Sequence, residues 1–468
     1  MRIKPIWLLL CITVPMYALA QNQPQENKFT IQNCIEYALK NNYQVKNALN
    51  QIKIQEQVNR NITAMAYPQL NASAGTVINP SLPVQVFPNF IAAGTYGVLQ
   101  AEDVRNGAGQ PITAPSDFGL IQAQFGVKYT ASGALNLNWL LFDGQVFVGL
   151  QARKTAMDLQ SSNYEITEQM IKANIVKVYY QLVAGKKQMN IIDANIDRTN
   201  KLLSDTKAFY TNGFTEKLNV DRAEIQLANM LTMRQQTQNT IDNGYYGLKL
   251  LMGMPMQEKL VLTDTITDDQ LKASLLDSIQ FDFKDRPEYK TASLGKKLNE
   301  YNIKRYKYTY LPQANLSGVY AKQALRNKFD FFGRGDWFTI SNISVGLNIP
   351  IFDGFARASN VRKAEFELKQ TNDQIDNLVN TFNQEVITSK NNYNNAIFTL
   401  DLQKKNMKLA EDVYNQTKKK YESGLASSTD IVNVQADLIA AQNSYINAVY
   451  SAIIAKVDFL RASGKLPY

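Results

Sequence analysis

Ile343-Ser344-Val345-Gly346-Leu347-Asn348-Ile349-Pro350-Ile351-Phe352-Asp353-Gly354 reads as a strand running into a turn. Ile343, Val345, Leu347, Ile349 and Ile351 share one face, while Ser344, Gly346, Asn348 and Pro350 share the other, the period-two pattern of a strand. A looser copy stands 210 residues earlier, where Leu135, Leu137, Trp139 and Leu141 alternate with Asn136, Asn138 and Leu140 before Phe142-Asp143-Gly144. Farther along each copy, Tyr210-x-x-Gly213 returns as Tyr421-x-x-Gly424 and Gly253 as Gly464, both at a shift of 211. Upstream, Tyr67-Pro68-Gln69-Leu70-Asn71 is echoed by Leu311-Pro312-Gln313-Ala314-Asn315. A period this long is too large for a stacked solenoid unit and marks a module used twice by one fold.

Each turn leads into a long helix. Val379, Phe382, Val386, Ser389, Tyr393, Ala396, Leu400, Gln403, Met407, Ala410, Tyr414, Thr417 and Tyr421 advance in steps of three and four, the seam of a helix packed lengthwise on another. After Glu422-Ser423-Gly424 the spacing restarts at Ile431, Val434, Leu438, Ala441, Tyr445, Ala448, Ala452, Ala455 and Phe459. Gly424 supplies the left-handed residue that ends the first helix, and Ser428 or Thr429 is expected to cap the second. The result is an antiparallel hairpin whose first arm, 356–421, is roughly 100 Å long at about 1.5 Å per residue. The first copy repeats it, with arms at 146–210 and up to Met252 around Thr211-Asn212-Gly213-Phe214. Both seams are thin, so rods of this composition need neighbours. A single helix is expected over 31–66 and its counterpart over 287–309, each ended by the proline at 68 or 312.

The expected organisation is a signal segment 1–20, a first repeat 21–253, a joining segment 254–285 and a second repeat 286–468. The first repeat holds a helix, strands near 68–79 and 131–142 separated by a long loop 80–130, and the hairpin 146–252. The second holds a helix, strands near 311–322 and 338–352, and the hairpin 355–462.

Arg2 and Lys4 precede a mostly apolar run from Ile6 to Ala18, and Ala18-Leu19-Ala20 forms a small-x-small cleavage site before Gln21. The run is too short to span a bilayer as a helix. Cleavage leaves Cys34 as the one thiol, so no internal disulfide forms. The chain has no histidine, which removes Ser-His-Asp and Cys-His catalysis and every histidine-containing metal site. No enzyme activity, metal or cofactor is expected. The formal charge of +9 is spread over polar helix faces, and Lys418-Lys419-Lys420 reads as a solvated helix end rather than a nucleic-acid site. No stretch beyond the signal has the length and apolarity of a transmembrane helix, so a membrane would be met through strands.

Four strands cannot close a barrel, and an open sheet leaves edges that lipid forbids. Closure must come from further copies of the same chain. The alternative is a sheet with one wet face in a soluble periplasmic coiled-coil scaffold or adaptor without pore activity. A carboxylate hydrolase finds no support, because the acidic residues are scattered over helix faces.

The paired Phe-Asp-Gly junctions, the prolines before the first and third strands, the Tyr-x-x-Gly tips, Ser427 to Gln435 and the terminal Leu460-x-x-x-Gly464 together resemble the TolC family of outer-membrane efflux and secretion channels. The resemblance covers essentially all of the chain after the signal. It implies a mainly α fold with a small β part, in which three chains each give four strands to a twelve-stranded transmembrane barrel set on an α-helical periplasmic barrel. It implies an outer-membrane channel of a tripartite efflux or type I secretion system in a Gram-negative-type cell. Its partners would be two further copies, outer-membrane lipid, a periplasmic adaptor (membrane fusion protein) and an inner-membrane pump.

Two kinds of site follow from the resemblance. The family narrows its tube with acidic residues six and nine positions after the second tip glycine. Here these are Asp430 and Asn433, so half of the acidic ring is missing. Asn219 is the first-copy equivalent of Asp430, and Tyr421 is placed for a closing contact. The simpler role of Asp430 is a carboxylate in a helix's first turn. The tips Gly213-Phe214-Thr215 and Gly424-Leu425-Ala426 are the expected adaptor contacts.

Overall fold

The computed structural model describes residues 27–265 and 281–466; the signal segment, part of the joining segment and the last two residues lie outside them. In chain order the elements are β1 (Asn27–Phe29), α1 (Ile31–Asn41), α2 (Tyr43–Ala64), β2 (Gln69–Ile78), β3 (Val84–Pro88), α3 (Phe90–Ala101), β4 (Leu120–Gln124), β5 (Tyr129–Phe142), α4 (Gly144–Thr211) and α5 (Lys217–Met252). The second half adds β6 (Leu260–Leu262), α6 (Pro287–Tyr308), β7 (Gln313–Arg326), β8 (Phe338–Asn348), α7 (Ala356–Glu422) and α8 (Ser428–Ala462).

The chain divides into two compact units, one of helical segments (up to residue 55, 155–297 and 368 onward) and one containing the strands (56–154 and 298–367). Each unit takes material from both repeats.

In the helical unit the heptad reading sorts inside from outside. Every seam position named between Val379 and Tyr421, and every one between Ile431 and Phe459, is buried or half-buried. The largest cluster joins Cys34, Ile35 and Val45 to Ile171, Ile175 and Tyr179 on α4, Leu248 and Met252 on α5, Leu260 on β6, and Val449 and Ala452 on α8. The thinness is also real. A groove of about 1040 Å³ between α7 and α8 is lined by Thr388, Asn392, Asn395, Ser444, Asn447 and Ser451 among others.

Sequence reasoning missed the parallel pairing of β1 with β6, in which Lys28 faces Val261. Tyr179 anchors this pair from beneath: its hydroxyl donates to Phe29 O at 3.1 Å and accepts from Asp264 N at 3.2 Å. Burial is the main reason its phenol is pushed well above the usual range. Arg286, almost fully buried, lies 3.9 Å over the Phe382 ring and donates to Glu385 at 2.6 Å and Glu288 at 3.0 Å.

Three expectations need correction. The helix expected over 31–66 is broken at Asn42, whose side chain donates to Leu251 O at 2.7 Å and accepts from Gln44 N, ending α1 and starting α2. The loop 80–130 contains structure: β3 pairs with β4 antiparallel, and α3 lies between them. The residue capping α8 is Ser427, one before the two expected. The β8 ladder ends at Asn348, ahead of Pro350, which has no N–H to give.

Candidate membrane-facing sheet and hairpin tips

β2, β5, β7 and β8 form one antiparallel four-stranded sheet in that order. Its register places Leu70, Leu137, Gly318 and Ile343 in one row, with Ala72, Leu135, Tyr320 and Ser341 in the next row on the same face. The rows between them belong to the opposite face. One is Gln69, Asn138, Ser317 and Ser344, and another is Asn71, Asn136, Val319 and Asn342. Polar side chains bond across strands there, Asn136 Nδ2 to Ser73 Oγ at 3.1 Å and the Ser317 and Ser344 hydroxyls at 2.8 Å. Near Trp139, Leu137 and Leu135 one face is therefore largely apolar, giving way to Ser341, Lys322 and Arg326 towards the Tyr129 end, and the other face is rich in amides and hydroxyls. The apolar face is uncovered: Leu70 is 66% exposed and Ile343 is 81% exposed. β2 and β8, at the two edges, are exposed along their whole length.

Aromatic side chains collect at both ends of this apolar band. At the helix-proximal end stand Trp139, Phe142, Phe147, Phe352 and Phe355, with ring pairs Phe142–Phe147 and Phe352–Phe355 at 5.5 and 5.6 Å. At the far end Tyr129 and Phe331 cover Ala131 and Ala324, and Phe329 contacts both aromatics. From Tyr129 to Trp139 is about 33 Å at about 3.3 Å per residue. A strand tilted by about 40° reduces that to about 25 Å of height between the two aromatic groups, comparable to an outer-membrane apolar band, with Lys322 on the same face opposite Gly133. Among the described residues no helix is long and apolar enough to cross a membrane.

The Phe-Asp-Gly junctions hold the proximal end. Asp353 Oδ2 accepts from Arg357 N and Arg357 Nε, both at 2.8 Å, and Arg357 also donates to Pro350 O at 3.0 Å. In the first copy Asp143 accepts from Gln145 N at 2.7 Å and from Gln313 Nε2 at 3.1 Å. The two glycines have different reasons. Gly354 has φ +65, followed by Phe355 at φ +69. At Gly144 a Cβ would lie 2.7 Å from Tyr308 Cβ.

In the helical unit both hairpin tips are closed by the same backbone device. Gly213 (φ +79) donates to Tyr210 O at 3.0 Å and Phe214 N to Phe209 O at 2.8 Å. Gly424 (φ +74) donates to Tyr421 O at 3.0 Å and Leu425 N to Lys420 O at 2.8 Å. In such a Schellman closure the apolar residue after the glycine usually folds back on the helix. Here Phe214 and Leu425 point away, each 80% exposed.

Asp430 is exposed and forms a capping box. Its Oδ2 accepts from Ser427 N at 2.9 Å and Ser427 Oγ at 2.7 Å, while Asp430 N donates to Ser427 Oγ at 3.1 Å. Those Ser427 hydrogen bonds hold its carboxyl below the usual range. Asn433 is exposed; Asn219, half-buried, donates to Thr215 Oγ1 at 2.9 Å. Glu216, at the matching cap of α5, makes no side-chain cap bond. Tyr421 packs with Leu202, Tyr414 and Ile431, its ring edge-on to Phe209 at 6.0 Å and its hydroxyl 3.5 Å from Thr206 Oγ1. Thr215 and Ala426 are half-buried.

The contacts tying the two hairpins together escaped the sequence reading. Arg222, the first-copy match of Asn433, donates to Thr429 Oγ1 at 2.9 Å. Gln435 donates to Thr199 Oγ1 at 2.6 Å in a fully buried layer, and Asn195 to Gln442 at 2.8 Å. The Oε1 atom of Gln435 is buried with no hydrogen-bond partner. Gln435 lies outside the seam's three-four series, so only its place on the adjacent helical face could have betrayed it.

Residues 284–465 match the family model described as outer membrane efflux protein. The outer membrane protein TolC of Vibrio cholerae is 20% identical over 340 residues, covering 72% of this chain and 77% of that protein. CusC, whose structures are described by transmembrane channel formation, superposes with TM-score 0.71 at 15% identity, covering 98% of both chains. The Vibrio cholerae outer membrane protein VceC gives TM-score 0.68 at 16% identity over 93% of this chain and 96% of that one. The fold, long helical hairpins together with a small four-stranded antiparallel sheet, is that of the outer-membrane channel proteins. The second half of the chain thus matches the outer membrane efflux protein model, and the chain as a whole is similar to TolC and to other outer-membrane channel proteins.

Proposed function

We propose that this protein is the outer-membrane channel of a tripartite efflux or type I secretion system, a passive duct rather than an enzyme. The observation that carries the reading is the four-stranded sheet with an uncovered apolar face and two exposed edges, β2 and β8. Four is an even number, so β8 of one copy can run antiparallel to β2 of the next around a closed ring. Three copies give the twelve strands of the barrel, with no edge left in lipid. The apolar face meets lipid, and the aromatic bands sit at its two interfaces.

The helices support the same assembly. Ile387, Phe398, Leu402, Leu409 and Val413 form a second, exposed stripe on α7, away from its buried seam. Helices from neighbouring copies would cover it and complete an α-helical wall in the periplasm. Phe214 and Leu425 at the tips suit a periplasmic adaptor fed by an inner-membrane pump. Asp430, three per trimer, contributes the acidic constriction, with Tyr421, Asn219 and the uncharged Asn433 around it. Residues 1–20 direct export and are removed after Ala20, and the two repeats, 21–253 and 286–468, each furnish half of the barrel strands. A soluble scaffold would leave Leu70, Ile343, Val345 and Leu347 in water.

The test is the state of the purified mature chain. It should require detergent, have the mass of three subunits, and conduct ions in planar bilayers. A monodisperse single subunit in detergent-free buffer would defeat the reading.

A further inference from the structure

The polar face of the sheet has a property that its function as a wall does not require. Along that face, from Gln69 to Val77, Thr130 to Leu140, Gln313 to Leu325 and Phe338 to Asn348, there is no Asp, Glu, Lys or Arg. Over the whole chain 19% of residues are charged. The sheet does contain Lys322 and Arg326, yet the register sends both to the opposite face, Lys322 opposite Gly133 and Arg326 opposite Tyr129. What this face offers instead is amides and hydroxyls at its centre, Asn71, Asn136, Asn138, Ser317, Asn342 and Ser344, interspersed with the uncharged Val319, Ile340 and Phe338.

We infer that the membrane-spanning wall of the duct is electrically neutral, a hydrogen-bonding lining that passes polar cargo of either charge sign. This rests on the duct reading above. An amide both donates and accepts, so an anionic group finds N–H donors and a cationic group finds carbonyl acceptors on the same ring. A wall with fixed charges of one sign would raise a potential of several kT in a narrow, low-dielectric bore and exclude ions of that sign. Sign discrimination is thereby left to charges in the helical unit, Asp430 among them.

The local potential can be read with methanethiosulfonate reagents, one cationic and one anionic, on full-length trimers in detergent. Asn136→Cys and Ser317→Cys place a thiol on the polar face, in a Cys34→Ala background that removes the buried native thiol. Both should label, with a cation-to-anion rate ratio within about twofold of that for a free thiol. The ratio should hold from about 50 to about 500 mM KCl, over which the screening length falls from roughly 14 to 4 Å. A ratio displaced by about tenfold or more that collapses with salt, as a potential of one to two kT would produce, overturns the neutral wall. Labelling at Leu135→Cys in place of Asn136→Cys also overturns it, because the faces would then be inverted. Trimers that label evenly but pass no ions in a planar bilayer would instead remove the duct reading and leave the wall's neutrality standing.

Discussion

The Gln435 amide on α8 donates to the Thr199 hydroxyl on α4 across 2.6 Å, with neither residue reachable by solvent. Thr199 passes the bond on to Asn195 O at 2.8 Å, while Gln435 Oε1 accepts nothing. The contact therefore joins the two hairpins at the expense of one buried, unsatisfied carbonyl.

The first prediction follows from that imbalance. Leaving a buried polar group unpaired costs about 1–3 kcal/mol, whereas removing both groups can be neutral. Thr199→Val, which strands the whole amide, should destabilise by about 1–3 kcal/mol. Gln435→Leu should be neutral or stabilising, and the double variant should resemble Gln435→Leu alone. Thermal unfolding of detergent-solubilised trimers checks the ordering; equal losses from both single variants would contradict it.

Asp430 separates into a cap and a charge. Asp430→Asn keeps an acceptor for Ser427 but removes three charges per trimer, so it should lower cation selectivity or raise conductance with little change in tip stability. Asp430→Ala should do both and also loosen the tip. Single-channel recordings distinguish them, and unchanged conductance and selectivity in the Asn variant would remove Asp430 from the constriction.

The same carboxylate gives the tip a pH dependence. Its folded pKa lies below the ordinary aspartate value of about 3.9, so the cap is fully formed above that value. The contribution is lost as pH falls through the lowered folded value. Hydrogen exchange at the start of α8 should accelerate only below about pH 4 in the native chain. After correction for the intrinsic pH dependence of amide exchange, protection there should not change with pH in Asp430→Asn.

Phe214 and Leu425 are each 80% exposed, and the proposed docking role can be tested at them. Phe214→Asp and Leu425→Asp should leave trimer yield unchanged and sharply reduce export, read as lost resistance in cells that depend on this channel. Full resistance with either variant would argue against the tips as the docking point.

The Phe-Asp-Gly junctions predict an asymmetry between identical motifs. Gly354 needs a left-handed backbone, which asparagine tolerates better than alanine, so Gly354→Asn should be mild and Gly354→Ala should cost about 1–2 kcal/mol. At Gly144 the obstacle is the Tyr308 backbone and Cβ, so alanine and asparagine should both impair assembly. Heat-resistant trimer on gels is the readout; equal tolerance at both sites would contradict the assignment.

Much of this architecture was legible because its periods are regular. The three-four spacing from Val379 to Tyr421 located the buried seam of α7 residue by residue, and alternation from Ile343 to Leu347 located the apolar face. The break at Asn42 was hidden because no proline or glycine marks it; an asparagine side chain ends one helix and begins the next. α3 was hidden because Gly94, Gly97 and flanking loop residues carry a composition typical of irregular chain. For the candidate site residues, the exposure of Phe214 and Leu425 follows from their position after the tip glycines. The capping geometry of Asp430, the Arg222–Thr429 link and the buried amide of Gln435 could not be read from the sequence, since each depends on two helices meeting far apart in sequence.

The middle of the sheet is where the two halves of the chain are stitched together. β5 comes from one repeat and β7 from the other, with Leu135 opposite Tyr320. β2 and β5 can pair within the first repeat, but the central β5–β7 seam cannot form until residues 313–326 of the second repeat have been made. During that interval the apolar strands have no shelter of their own.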